Sequence, residues 1–400
     1  MNIRVFINLA GPLYGGLQML SVRLAQHLKK QGHDVRIIAR FSKASSSDFV
    51  AMEEPRVFTV EGVDVEIISV QGWRRWLLLP VPQLRQRQRT FPIAVALYQA
   101  AFRPTIDRVS KGADIVHYFG TGVELLGFAV ESSARQKKMP FVVQPAIHVS
   151  QQGDEHGNWG HSHGDWPLYK EADMVIAHTE FEAETLRQNG VQASHVHAVR
   201  LGFDALEPGD GVRFRKAHGI EGPMVLFIGR RSEDKGYLLL LEAFAALRQQ
   251  MPNVTLVIGG SGDTPKSTAE GVLELGIVSD EIKQDALSAC TVFCMPSKGE
   301  SFGIAYFEAW NCGKPVVALD LPSLRETVGS SGGGLLAAPN DAADLVEKLR
   351  LLLDQPELAV AMGARGREFS RGYSWDATTQ GSLEAYSQAQ QNQRQKQRGP

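Results

Sequence analysis

Two glutamates, Glu300 and Glu308, stand eight residues apart in the stretch "SKGESFGIAYFEAWNCGKPVVA" (297–318), which is otherwise mostly apolar or small. A carboxylate can accept hydrogen bonds from two adjacent hydroxyls, the pattern that a ribose or a hexose presents. Glu300 lies in a turn leading into a helix. Eight residues at about 100° each bring Glu308 to within roughly 80° of the same direction, so both can line one side of a site. The amide hydrogens of Ser301, Phe302 and Gly303 at the helix start add an anion site. Read alone, the pair also suits a capping carboxylate followed by a surface glutamate, although Ala305, Phe307, Ala309 and Trp310 crowd Glu308 with apolar neighbours. Upstream, "GRRSEDKG" (229–236) directly follows the apolar run "MVLFI". Arg230 and Lys235 at a strand's C-terminal end could hold a diphosphate, one as a planar fork and the other as a point charge. A solvated charged loop is the alternative, since Arg231, Glu233 and Asp234 join them. A third feature, "GPLYGG" (11–16), opens the first helix, where glycines admit a close ligand and the helix start favours a phosphate. It matches neither G-x-G-x-x-G nor a P-loop, so a nicotinamide or ATP site is not supported.

These motifs need elements to carry them. "IRVFINLA" reads as a strand and is followed by a helix with Leu17, Leu20, Leu24 and Leu28 on one face. Gly32 ends that helix and "DVRIIAR" is the next strand, which makes a βαβ unit. Short apolar runs recur at "DIVHYF", "PFVVQPA", "ADMVIAH" and "HVHAVRL". After a Gly-, Pro- and charge-rich connection near 202–223 containing one short helix, the pattern restarts at "MVLFIGR" and continues through "NVTLVIGG", "CTVFCMP" and "PVVALD". Two strand–helix series of similar size predict an α/β protein of two doubly wound domains facing a central cleft, with ligands beyond the strand C-termini. The tail "SQAQQNQRQKQRGP" is nearly without apolar residues and reads as frayed.

In this order the motifs resemble the retaining glycosyltransferases of family 4, which have the GT-B fold of two Rossmann-like domains. The likeness covers nearly the whole chain. It rests on "GRRSEDKG", on "ELGIVSDEIKQDALSACTVFCMPS" and above all on "ESFGIAYFEAWNCGKPVVA", the family's E-x7-E signature. The resemblance implies an N-terminal acceptor-side domain of residues 1–203 plus 377–400 and a nucleotide-sugar domain of 204–376. It implies that Arg230 and Lys235 bind the donor diphosphate, beside Gly229. Glu300 would meet the donor sugar, with the amides of Ser301, Phe302 and Gly303 beside it, and Glu308 would grip the ribose. The segment Leu275–Val278 aligns with the base-contacting loop, and Gly15 and Gly16 with the loop over the donor phosphates. A functional histidine is matched best by His148, with His117 the second candidate, although a histidine ending "DIVH" is as easily structural. The implied reaction moves a hexosyl group from a nucleotide diphosphate sugar to a hydroxyl acceptor by front-face substitution, with no cofactor and no metal. Same-fold rivals are a sugar-phosphate synthase and a sugar-nucleotide epimerase. The rival from another class is a non-catalytic sugar-nucleotide-binding protein.

Composition narrows the rest. The 400 residues are 43% hydrophobic and 22% charged, with a formal net charge of −2, so no general attraction to nucleic acid is expected. Cys290, Cys294 and Cys312 read as core thiols in a reducing compartment. Neither a signal peptide nor a spanning helix is expected, which suggests a cytoplasmic protein. His156, His161, His163 and Asp165 could ligate a metal, but the family requires none and Gly-rich polar loops gather histidines by chance; Trp159 and Trp166 could stack on an acceptor sugar. The base-side segment "GGSGDTPKS" departs from the family's acidic-proline turn. Finally, 72–92 holds Arg74, Arg75, Arg85, Arg87 and Arg89 with no acidic residue. It reads as an ordinary exposed segment or as a peripheral contact with the inner membrane face, which keeps lipid-linked acceptors open beside sugar and small-molecule ones.

Overall fold

The computed structural model describes residues 1–10, 15–42, 52–147, 163–262 and 264–398. They form two compact units. The chain passes from the first to the second at Phe203 and re-enters the first at Trp375.

The first unit is built on one sheet of β1 (Asn2–Leu9), β2 (Asp34–Phe41), β3 (Arg56–Val60), β4 (Val63–Ile67), β5 (Ile115–Phe119), β6 (Phe141–Gln144), β7 (Met174–Ala177) and β8 (Val196–Ala198). The spatial order is β3-β4-β2-β1-β5-β6-β7-β8. All neighbours are parallel except β3 and β4. Ile3, Val5 and Phe6 of β1 and Ile115, Val116 and Phe119 of β5 are fully buried, as expected where helices cover both faces of a parallel sheet. The helix Gly15–Lys30 buries Leu20, Leu24 and Leu28, and Gly32 follows it with φ +86°. The antiparallel β3–β4 hairpin was not anticipated. Its two-residue turn, Glu61-Gly62, has positive φ at both positions, a conformation that Asn-Gly or Asp-Gly would have announced more clearly. Gln26 and Lys29 donate to the carbonyls of Glu61 and Gly62, each at 2.7 Å, and tie this turn to the first helix.

As far as Arg398 the C-terminal tail is not frayed. Trp375–Arg398 is one helix, and Ala385, Tyr386, Ala389 and Asn392 are buried along it. Two alanines, one tyrosine and one satisfied amide replace a leucine stripe here. The Asn392 side chain donates to the carbonyls of Asp173 (2.9 Å) and Ser194 (3.2 Å), and Lys396 pairs with Asp173 at 2.8 Å.

The second unit holds β9 (Met224–Ile228), β10 (Thr255–Gly259), β11 (Val272–Gly276), β12 (Val292–Cys294), β13 (Val316–Leu319) and β14 (Gly334–Ala337), all parallel, in the order β11-β10-β9-β12-β13-β14. The first three strands step one way from β9 and the last three step the other way. The reversal falls between β9 and β12, and this is the Rossmann order with its switch point there. Helix Tyr237–Gln250 turns Tyr237, Leu240, Ala243, Phe244 and Leu247 inward at steps of three and four. Cys290 and Cys294 are buried and Cys312 half-buried. Burial pushes the Cys290 thiol up to about 12, which suits a core residue.

His117 is also core. It lies wholly buried within β5, its Nδ1 2.8 Å from the Tyr386 hydroxyl, which removes it as a sugar contact. Burial pushes its imidazole down to about 3. Folded His117 stays neutral while the unfolded chain takes up a proton near pH 6.5. Its contribution therefore lowers stability progressively as pH falls from about 6.5 toward about 3, and is absent above that window. Urea unfolding of His117→Gln is expected to lose midpoint less steeply across this window than the parent. Equal slopes in the two proteins contradict the assignment.

Candidate functional site

The switch point of the second unit gathers the residues singled out in its sequence. The loop after β9 carries Gly229–Gly236 and the loop after β12 carries Met295–Gly303, and the two are zipped together. Lys298 donates its amide to the Asp234 carbonyl at 2.9 Å and its ammonium to Glu233 at 3.0 Å. Gly236, at φ +71°, begins the helix so close to the second loop that a Cβ would lie 1.8 Å from the Pro296 carbonyl oxygen. Within this frame Lys235 Nζ donates to Glu300 Oε2 at 2.9 Å. Both side chains are largely buried. Arg230 is the exposed cation of the loop and pairs at 3.0 Å with Asp234. Burial would raise the Asp234 carboxyl, but the Ser232 hydroxyl and the Arg230 guanidinium outweigh it and hold it below the usual range. Arg231 is not part of a solvated face. It is buried and donates to the carbonyls of Gly260, Gly262 and Thr264, fastening the loop after β10.

Helix Ile304–Asn311 starts only after Glu300, so the uniform 100° step used to relate the two glutamates does not hold across the turn. Gly303 sits at φ +85° and breaks the spiral. Ser323 Oγ donates to the Glu300 carbonyl at 2.5 Å, and the Tyr306 hydroxyl to that of Met295 at 2.6 Å. Phe302 stacks on Phe307, centroids 4.6 Å apart, so its side chain serves the core. Among the described residues, no backbone or side-chain acceptor takes the amide hydrogens of Ser301, Phe302 or Gly303. Glu308 lies in the second turn of the helix and pairs with Lys283 at 2.9 Å. Burial would lower the Lys283 ammonium, but Glu308 and Asp280 outweigh it and raise it. Lys283 was not singled out from the sequence, where it is one charge on the amphipathic helix Asp280–Ala289. Leu275 and Gly276 end β11, and half-buried Val278 follows in the next loop beside Gly259.

In the first unit the strand order reverses between β1 and β5. Residues 11–14, which follow β1, lie outside the described residues; Gly15 and Gly16 begin the helix after them. His148, His156, Trp159 and His161 also lie outside the described residues. His163 meets the Phe91 ring edge-on at 5.2 Å, Trp166 meets Tyr169 at 5.8 Å, and buried Asp165 accepts the Val123 amide at 3.1 Å. Among the described residues no group of three or more His, Cys, Asp or Glu could hold a metal ion. Glu182 went unnoticed in the sequence. Its buried carboxylate accepts the amides of Ile147 (2.8 Å) and His178 (2.6 Å), joining the ends of β6 and β7. The signal was the Thr179-x-x-Glu182 spacing of a helix start. Thr179 does cap Glu182, but the glutamate reaches elsewhere. A cavity of about 340 Å³ lined by Glu131, Arg135, Asp173 and Lys396 lies at the opposite, N-terminal ends of β6 and β7. Its charges pair with one another at 2.6–2.8 Å.

Residues 15–202 match the family model described as a glycosyl transferase 4-like domain, and residues 212–369 match that of glycosyl transferases group 1. The chain belongs to the glycosyltransferases. It is similar to proteins named D-inositol 3-phosphate glycosyltransferase. That of Kribbella flavida is 33% identical over 56% of this chain and 58% of its own length; that of Frankia alni is 30% identical over 94% and 95%. The structure of Anabaena HepE in complex with UDP-glucose superposes with a TM-score of 0.73 at 18% identity, covering 96% of this chain and 99% of that one. That likeness extends to the fold, which is GT-B.

In this glycosyltransferase the position of Glu300 depends on the left-handed residue after it. An alanine at Gly303 would place its Cβ 2.4 Å from the Tyr306 ring in a conformation that L residues avoid. Gly313 has a similar φ, +68°, with nothing within 4 Å. Gly313→Ala is expected to cost about 1–2 kcal/mol in urea unfolding and Gly303→Ala visibly more. Equal losses contradict the packing described here.

Proposed function

We propose that the chain is a retaining hexosyltransferase that moves a hexosyl group from a nucleoside diphosphate sugar to a hydroxyl acceptor. The observation that carries this reading is the Lys235–Glu300 ion pair at the switch point, with Arg230 exposed beside it and open amides at Ser301–Gly303. Breaking a glycosyl–phosphate bond builds negative charge on the diphosphate and positive character on the sugar. Lys235 leaves Glu300 for the diphosphate, Arg230 clamps it, and the amides meet it at the helix start; fixed donors of this kind stabilise the charge as it develops. Glu300, released from Lys235, accepts from the donor sugar. Glu308 accepts from the ribose hydroxyls and exchanges part of its contact with Lys283. Val278 borders the base. Gly15, Gly16 and His148, matched to the family by resemblance, complete the donor contacts.

The leaving phosphate takes the acceptor proton during front-face substitution, so no side-chain nucleophile is required. With two cations and three amides for the diphosphate, we propose that no resident metal or cofactor is needed. The acceptor hydroxyl belongs to a sugar or another polyol, and the names of the relatives make a phosphorylated inositol the first acceptor to try. A lipid-linked polyol is the second.

The test is turnover of UDP-, GDP- and ADP-hexoses against such acceptors, read by mass spectrometry of the nucleotide and by NMR of the new linkage. An α-donor is expected to give an α-linked product. Lys235→Ala and Glu300→Gln are expected to reduce kcat about 100–1,000-fold, and Glu308→Gln to act mainly on donor KM. Undiminished turnover by Lys235→Ala would sink the site, and an inverted linkage would sink retention.

A further inference from the structure

We infer that the surface formed by 72–93 of the first unit docks the chain peripherally onto an anionic lipid bilayer. This inference stands independently of the catalytic reading. Between Glu66 and Asp107 there is no acidic residue, while Arg74, Arg75, Arg85, Arg87, Arg89 and Arg103 all fall there. Trp73 is 66% exposed and Trp76 70%, and Leu79 and Ile93 are about half exposed. These side chains are held outward by a built scaffold. Leu78 and Val81 are buried beneath the turn Gly72–Leu78, and Arg74 donates to the Ala100 carbonyl at 2.5 Å, binding the turn to helix Phe91–Val109. That helix faces inward through Phe91, Ala94, Tyr98, Ala101 and Phe102, and outward through Ile93, Ala96 and Ala100.

Three of the charges at this surface have no ionic partner among the described residues. Arg75, Arg87 and Arg89 are exposed, and among the described residues no carboxylate pairs with any of them. Exposed arginines elsewhere do find partners, as Arg213 does with Glu281, Arg325 with Asp320 and Arg371 with Glu368. Two indoles with aliphatic neighbours favour the headgroup level of a bilayer, where one end of the ring is apolar and the other wet. Unpaired arginines beside them match lipid phosphates. A single-stranded nucleic acid can stack on the indoles, but it and an acidic peptide alike would leave Leu79 and Ile93 in water. Among the described residues no helix is long and apolar enough to cross a membrane, so the contact is peripheral.

The test is sedimentation of the full chain with vesicles of phosphatidylcholine alone and with added phosphatidylglycerol, together with tryptophan emission. The chain is expected to sediment with the anionic vesicles and to shift its emission to the blue. Arg75→Gln/Arg87→Gln/Arg89→Gln is expected to weaken binding about fivefold per arginine, roughly a hundredfold in all. Trp73→Ser/Trp76→Ser is expected to abolish the blue shift, with both variants unfolding at the parent's temperature. No sedimentation with anionic vesicles, equal binding to neutral ones, or unimpaired binding by the arginine variant overturns the proposal. Retention on RNA without vesicle binding overturns it in favour of a nucleic-acid partner.

Discussion

Lys235 and Glu300 are 65 residues apart in the chain and 2.9 Å apart in the fold. They meet because β9 and β12 are neighbours, and these are neighbours because the chain reverses its direction across the sheet at that point. Wherever adjacent strands send their helices to opposite faces, the loops above them diverge and leave a crevice. Here that crevice is closed underneath by the Lys298 contacts with Glu233 and Asp234 and by Gly236 against Pro296. The remaining features of the site hang from this join: the open amides, the exposed guanidinium of Arg230, and Glu308 on the following helix.

The site is almost neutral by construction. Each of its two carboxylates is matched to a lysine from another element, Glu300 to Lys235 and Glu308 to Lys283. Largely buried charges must be paired in this way, since an isolated one costs several kcal/mol. The arrangement gives a ligand something specific to exchange. A diphosphate can replace a carboxylate at an ammonium, and sugar hydroxyls can replace the ammonium at the carboxylate, with no charge left bare. Arg231 lies next to Arg230 and takes no part in this, because three carbonyls already hold it. Adjacent arginines thus have separate tasks, one architectural and one facing solvent.

Much of this was legible in the sequence. Strands β1, β2 and β5–β8 of the first unit, β9, β10, β12 and β13 of the second, the helix Tyr237–Gln250 and the two-unit division follow from apolar periodicity and from the placement of glycines, which are local signals. Arg230, Lys235, Glu300 and Glu308 stood out by spacing and resemblance, and the fold brings the first three to one switch point. What escaped was non-local. Nothing near Lys283 distinguishes it from any other charge on an amphipathic helix, because its partner arrives from 25 residues away. The continuation of the last helix beyond Gln388 escaped because one alanine and one asparagine, Ala389 and Asn392, are its buried residues there. Glu300 and Glu308 are not related by a uniform 100° step, because Glu300 precedes the helix and Gly303, at φ +85°, turns the chain just before it begins. His117 at the end of "DIVH" could be structural or functional, and its complete burial and its contact with Tyr386 show it to be interior.

The most direct test of the central claim is a crystal structure of the chain with a nucleoside diphosphate sugar bound. The account predicts the diphosphate beside Arg230 and Lys235, the Lys235–Glu300 contact exchanged for contacts to the ligand, and the ribose hydroxyls on Glu308. A nucleotide bound away from the β9–β12 switch point, or one seated there with the Lys235–Glu300 pair untouched, would contradict it.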